Sequence, residues 1–561
     1  MLKSEEQSGF QGFGDVPAAG GCHYVFNMIP TPYGLAPFYK NQTETTSGVL
    51  TSMELIRCFA EEAGVLWGMD DTGKIYSKAS GSWALEHTTV VTTTGNGLIL
   101  DQTGRMLAVH SRYLAKKDAP GSTSWTESFK DLGSTVAGDK VMDTFEDWVV
   151  IPHGSNVALL NTTDDSFNSA GLTFPSNCTC FIACSNHTGI LLGVNMGNRS
   201  FVALWDAQST RAITDWMWFD HPLKSICRAG DSQGNYQGNS QWIVTTTREI
   251  VITNGYTRQT LPSLPDPLIG QGVNNPIATG TMTMDEKLFV NHNDGGVNYG
   301  RRKSGLFILD LTSKLWRFVP PSDNALNQVS MGAIYSSSDS KIALSHYNVT
   351  TGMYFISTLT NAIPSTAHFI TDQFGLTGTR KIAEGSKVEF LANDLVTTYV
   401  PMSFTVSVKI YDFTRPLWTA GRQNNSTASA ANQLNVDTSS GSTNKAQVGD
   451  EVTVLNGTNA GLMRHITQIT NPGTSNETWT LDIALPNPTE ANMPLNIQPF
   501  KLVNRFVFQN VTNIPIDGLY FDVENRYKGK KYLLKVLFEG LTNAPLAVPS
   551  TIFIYDDKGI V

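Results

Sequence analysis

The chain has 561 residues, 40% hydrophobic and only 16% charged, with a formal net charge of −9. That length exceeds the ~250–300 residues one core can serve, so two to four domains are expected. The acidic balance excludes a strong overall electrostatic attraction to nucleic acid, and no apolar run nears the ~20 residues that span a bilayer.

Ser, Thr, Asn and Gly stand where charge is missing, a mixture that suits strands and tight turns better than helices. The expectation is an all-β protein. The start, Met1-Leu2-Lys3-Ser4-Glu5-Glu6, lacks the apolar run of a signal peptide. Eleven Asn-x-Ser/Thr sequons, Asn41, Asn161, Asn177, Asn186, Asn348 and Asn510 among them, then read as a by-product of composition.

The first strong pattern is Gly64-Val-Leu-Trp-Gly-Met-Asp70-Asp-Thr-Gly73-Lys-Ile-Tyr76, a strand, a turn and a strand. It recurs thirty-one residues later as Gly95-Asn-Gly-Leu-Ile-Leu-Asp101-Gln-Thr-Gly104-Arg-Met-Leu107. Asp starts such a turn by bonding the backbone, and Gly supplies the positive φ that closes it. Looser hairpins follow at Trp148–Leu160, Ile190–Trp205, Trp242–Ile252, Leu288–Trp316 and Ile342–Ser357. Seven hairpins over about 300 residues predict a β-propeller-like ring of six or seven blades in residues 1–365, because one small sheet cannot bury both faces alone.

Within this region Cys178, Cys180, Ile182 and Cys184 share parity on one strand, which predicts buried, unligated thiols on one face. A zinc site, with His187 as a further ligand, fits the spacing less well.

Beyond Leu359 the hairpin rhythm stops. Residues 366–420 and 504–561, with the strands Phe404–Tyr411, Lys531–Glu539 and Ser550–Asp556, are expected to form one C-terminal β-sandwich. Residues 421–447, rich in Asn, Ser and Thr, read as a low-complexity linker. Residues 448–503 read as an inserted small β-barrel-like module, and residues 420–502 are expected to be removable without unfolding the rest.

That module, with Gly457-Thr-Asn-Ala-Gly461, Arg464-His-Ile466 and Thr480-Leu-Asp482-Ile-Ala-Leu-Pro486, resembles a small β-module recurrent in phage tail and fibre proteins. The wider layout, a hairpin-rich ring closed by a sandwich ending in Lys530-Lys531-Tyr532…Phe538-Glu539-Gly540, resembles the nozzle and packaged-DNA stabilisation proteins of short-tailed phages. The resemblance implies a non-enzymatic virion protein of the neck or tail. It implies a homo-oligomeric, six-fold ring, contacts with a portal adaptor and tail fibres or needle, and DNA passing through without specific binding. The alternative is a receptor-binding or polysaccharide-degrading tail appendage.

No nucleophile elbow, zinc-ligand His pair or phosphate loop is present, so no catalytic, cofactor-binding or metal residue is expected. Asn291-His292-Asn293-Asp294-Gly295-Gly296 has calcium-like oxygen spacing without the closing Glu, and reads as a polar loop. Asp70 and Asp71 are expected to point apart in their turn. Trp83, Trp125, Trp216 and Trp218 are read as packing between blades, with stacking on sugars as the alternative. Arg301-Arg302-Lys303 and Lys528-Gly529-Lys530-Lys531 read as solvated turns.

Overall fold

The computed structural model describes most of 53–371, 402–411, 432–511 and 534–540, together with strand backbone nearer both termini. Its local signals are the turns. Asp101 Oδ1 accepts hydrogen bonds from the Thr103 amide (2.9 Å), the Thr103 hydroxyl (2.7 Å) and the Arg105 amide (2.9 Å), while Arg105 Nε donates to Oδ2 at 2.7 Å. Asp70 caps its turn in the same way, and Gly73 and Gly104 sit at φ 84° and 80°, a region only glycine enters freely. Alanine at Asp101, whose own side chain is buried, takes the acceptor from those amides and from Arg105 in a partly exposed turn. The expected cost is roughly 2–3 kcal/mol, read as a lower urea midpoint with unchanged slope. Asp164→Ala in an exposed turn should shift the midpoint little, and equal shifts would refute the account.

The two copies of this turn do different jobs. Asp70–Gly73 joins the second and third strands of one sheet, Val65–Asp70 and Lys74–Ser77, whereas Asp101–Gly104 joins the first and second strands of the next, Asn96–Leu100 and Met106–His110. The thirty-one-residue spacing is therefore a recurrence of turn chemistry and not the blade period. Each of the seven predicted hairpins nonetheless falls in a different blade.

Seven four-stranded antiparallel blades, the first six of them consecutive meanders, form a propeller-like ring. Their first strands are Ile56–Glu62, Asn96–Leu100, Asp143–Phe145, Thr179–Asn186, Leu223–Arg228, Thr281–Met284 and Val329–Ser336. Strand Ile56–Glu62 packs against both Asn96–Leu100 and Val329–Ser336, so the seventh blade returns to the first. Each pair of neighbouring blades shares one apolar cluster, seven in all among the described residues. Successive residues on one strand serve opposite neighbours: Ile190, Leu192 and Val194 face the third blade, and Leu191 faces the fifth. Both faces of a blade are thus dry, which explains the continuous apolar runs. Near the axis the blades approach closely. A Cβ on Gly332 would lie 2.5 Å from the Ile56 carbonyl oxygen, so only glycine fits there.

The seventh blade takes its fourth strand, Lys40–Thr43, from near the N-terminus, paired antiparallel with Ser357–Thr360 of Met353–Thr360. Other N-terminal strands leave the ring. Tyr24–Phe26 extends the outer strand of the sixth blade, Trp316–Val319, and continues it through Thr366–Ile370, Leu534–Glu539 and Met402–Tyr411 to Phe500–Val511. Leu2–Ser8 pairs along its whole length with Ser550–Asp557, in a second sheet with Lys381–Val388 and Leu519–Asp522. Residues 1–365 are accordingly not one unit, because the first strand belongs with the C-terminal sheets.

The insert is a closed barrel of Gln423–Ala428, Gln433–Val436, Glu477–Leu481, Met463–Thr470, Glu451–Val454 and Pro494–Gln498. Its first two strands lie in 421–447, the stretch expected to be linker. Leu434 and Val436 are fully buried against Trp479, so the polar residues around them belong to a strand wall and not to a tether. The far boundary also moves. Phe500, Lys501 and Leu502 pair with Tyr411, Ile410 and Lys409 in the main sheet, so removing residues to 502 would cut a core strand.

Cys178, Cys180 and Cys184 are buried and free, but they do not share a face. A bulge between Cys180 and Ile182 inserts one residue and reverses the parity. Cys178 and Cys180 therefore pack toward the third blade, and Ile182 and Cys184 toward the fifth.

Candidate functional site

The first strands of all seven blades surround an axial channel of about 550 Å³. Its wall is mostly apolar, with Cys58, Cys184 and Cys227 from the first, fourth and fifth blades. Burial raises all three thiols, Cys227 to about 12, so they stay protonated at neutral pH and are poor nucleophiles. The charged groups at the wall are engaged. Arg228 Nη2 lies 3.0 Å from Asp143 Oδ2 and its Nε donates to the Ser185 carbonyl at 2.6 Å, while Asp143 also accepts the Ser185 amide at 2.7 Å. Glu61 accepts the Ser338 amide at 2.7 Å, and Lys140 donates to the Val136 carbonyl at 2.7 Å. These bonds fasten the fifth blade to the third and fourth, and the first to the seventh. Their chemistry is that of an axle.

Further fasteners run outward from it. Trp242 Nε1 donates to the Cys184 carbonyl at 2.8 Å, and Asn195 exchanges two bonds with Leu223. Asn291 donates to the carbonyls of Gly332 and Ala333, and Asn293 donates to that of Met331. The calcium-like spacing at 291–293 thus serves as a clamp between the sixth and seventh blades, whereas residues 294–303, Arg301-Arg302-Lys303 included, lie outside those described. Lys528 and Gly529 form a short strand against Ile382 and Lys381, and Lys530 and Lys531 lie outside the described residues. Among the described residues no group of three or more His, Cys, Asp or Glu side chains could hold a metal ion. No helix of the described residues is long and apolar enough to cross a membrane.

Asp70 is taken up by the amides of its own turn, and Asp71 has another acidic neighbour. Burial raises its carboxyl to about 7, helped by a hydrogen bond to Glu54. Sequence reasoning missed this pair because the two residues come from opposite sides of a turn.

The tryptophans divide. Trp83 is buried between the first and seventh blades, and Trp125 stacks on His87 with centroids 5.4 Å apart between the first and second. Trp216 is half-buried and Trp218 is 38% exposed, at the outer edge of the fourth blade.

A second concentration of charge lies where the barrel meets the main sheet. Glu451 is wholly buried between Lys409 and Lys535, both ion-paired to it, with Gln498 3.4 Å from Lys535 Nζ. Burial alone would raise the Glu451 carboxyl, but the two ammonium groups hold it well below the usual carboxylate range. Arg464–Glu539 (2.9 Å), Lys501–Asp450 (3.0 Å) and Arg505–Asp482 (3.1 Å) surround it. The barrel is docked by a charge network, which no local sequence pattern announces.

No protein-family model and no curated protein matches the chain. Among solved structures, the computationally designed Ika8 protein is similar at 9% identity over 58% of this chain and 96% of its own, with a TM-score of 0.37. The extracellular domain of a hybrid two-component system from B. thetaiotaomicron is similar at 12% identity over 85% of this chain and 59% of its own, with a TM-score of 0.38. The calcium-binding protein regucalcin from Agrobacterium tumefaciens is similar at 9% identity over 57% of this chain and 93% of its own, with a TM-score of 0.32. Likenesses this slight say nothing of ligand or activity.

Proposed function

We propose that the chain is a non-enzymatic structural protein of a tailed-phage particle, set in a nozzle-like ring of copies at the neck or tail around the DNA exit path. The observation that carries this reading is the weld between its parts. The sixth blade runs without a break, strand by strand, into the C-terminal sheet, which in turn holds the barrel through buried ion pairs. Parts joined by shared sheet and buried charge transmit load and do not hinge, as a wall around a passage requires. A tethered, mobile adhesin would need the opposite.

The axial channel of the propeller is not the DNA path. Its wall closes around about 550 Å³ of mostly apolar space, and a duplex whose major groove alone is about 12 Å wide has no room there. DNA would instead pass between copies arranged in a closed heterologous ring. The net charge of −9 favours sliding, since each Lys– or Arg–phosphate contact adds salt-dependent grip.

The test is a particle assembled without this protein. Such particles should package DNA and then leak it, and purified protein should image as a closed ring and leave host polysaccharide uncut. Normal genome retention without the protein, or cleavage of polysaccharide by the pure chain, would overturn the reading.

A further inference from the structure

A groove of about 510 Å³ opens at the outer edge of the fourth blade, beside the end of the third. Its floor is aromatic. Trp216 and Trp218 alternate along the chain around the strand Met217–Phe219, and both lie against Phe201. Trp216 stacks on Phe201 at 4.3 Å and 8°, with Phe174 edge-on at 5.9 Å. Trp218 meets the same ring at 4.9 Å, its centroid 6.0 Å from that of Trp216 and inclined by 56°. Arg199, paired with Asp220 at 2.8 Å, lies over Trp218 at 5.8 Å, and Arg258 holds the Trp218 carbonyl at 3.2 Å. Both rings are thus fixed before any ligand arrives, and little side-chain entropy remains to be lost on binding.

The rim is polar and also held in place. It carries Thr173, whose hydroxyl donates to Asn156 Oδ1 at 3.0 Å, and the exposed Thr210 and Arg211. Asp206 accepts the amides of Gln208 (3.0 Å) and Ser209 (2.8 Å), and the Ser209 hydroxyl donates to the Arg211 carbonyl at 2.6 Å, so the loop bearing Arg211 is braced. Among the described residues Arg211 is the one charged side chain lining the groove, a cation on a chain of net charge −9.

We propose that this groove binds the end of an acidic oligosaccharide, with a pyranose ring on the Trp216–Trp218 floor and its carboxylate paired with Arg211. A sugar ring offers what the groove complements: an apolar C–H face for the aromatic rings, hydroxyls on its edge for the two threonines, and a planar carboxylate for a guanidinium. A purely apolar partner would leave the guanidinium and hydroxyls desolvated without bonds. Among the described residues no carboxylate lines the groove, and the role proposed is to hold a glycan. That role adds host-surface contact to a structural protein and does not depend on the ring assembly.

Calorimetric titration of the full chain with trigalacturonate and with trisialic acid tests the site, with maltotriose as the neutral control and oligo-dT as the competing stacking ligand. One acidic trimer should bind saturably. Trp218→Ala should weaken it by about tenfold or more, and Arg211→Gln should bring it to the level of maltotriose. Trp218 is 38% exposed at the edge of its blade, so Trp218→Ala should keep the parent's β-sheet circular dichroism at the titration temperature even where it melts somewhat lower, which separates loss of binding from loss of fold. Binding unchanged in both variants, no saturable binding of either acidic trimer, or tighter binding of oligo-dT than of both sugars would each overturn the proposal. None of these results bears on whether particles retain their genome.

Discussion

Replacing Glu451 by glutamine should destabilise the protein by about 3–5 kcal/mol, the cost of stranding a buried charge by removing its partner. The substitution keeps the shape and removes the one negative charge between Lys409 and Lys535, all three side chains being essentially inaccessible to water. Two ammonium groups are then left facing each other in a dry site. The pH dependence gives a second, signed readout. Burial already lowers Lys535 to about 8 with Glu451 beside it, so without Glu451 it falls further, and the variant should regain stability as the pH rises and a lysine sheds its proton. In the parent the Glu451 dependence has the same sign but lies in the acid range. The Glu451 carboxyl is held below its ordinary value of 4.5, so its contribution is complete above that pH and fades as the pH falls beneath it. Denaturation midpoints for Glu451→Gln at neutral and alkaline pH decide the matter. A loss under about 1 kcal/mol would mean that water reaches the cluster. The triple replacement Lys409→Met, Glu451→Leu, Lys535→Met should recover most of the loss, because a buried triad exchanged for apolar groups of similar volume is often neutral.

What the amino-acid sequence discloses here is whatever is local. The Asp-x-Thr-Gly turns, the hairpins and the buried thiols all rest on residues within a few positions of one another, and each appears where expected. Phase was lost where the same turn serves two strand pairs, and the thiol face was lost at a bulge that no composition rule marks. Partners remote in sequence were illegible. Asn425 pairs with Val436 and Gln423 with Leu495, so a stretch that reads as linker becomes barrel wall only when its distant partner arrives. Glu451 is an ordinary strand residue until Lys409 and Lys535 are brought to it. The aromatic groove was half legible. Trp216 and Trp218 share a parity that places them on one face, but Phe174, Phe201 and Arg211 join them only through the ring.

Removing residues 1–45 should cost more than any single substitution, because it opens the ring. The strand Lys40–Thr43 is polar and shows no apolar alternation, yet it closes the seventh blade against Ser357–Thr360. Glu44, which follows it, is the clasp. Its amide donates to the Ile356 carbonyl at 2.9 Å and its carboxylate accepts from the Thr358 hydroxyl of the seventh blade at 2.5 Å. The same carboxylate takes Trp83 Nε1 of the first blade at 2.7 Å and pairs with Lys78. One side chain therefore ties the last blade to the first. Glu44→Ala alone should lose roughly 2–3 kcal/mol, since Trp83 is buried and its N–H is left without an acceptor. The truncation in addition exposes the edge of Met353–Thr360 and withdraws Tyr24–Phe26 from between the sixth blade and the C-terminal sheet. Against a net stability of about 5–15 kcal/mol, that combination should give a chain that aggregates through its open edge. A peptide spanning residues 36–46, added in trans, should occupy the vacated edge by strand addition and raise the soluble fraction. A truncated chain that stays monomeric and melts as the parent does would show that the ring is closed by its blade interfaces alone and that the clasp is ornamental.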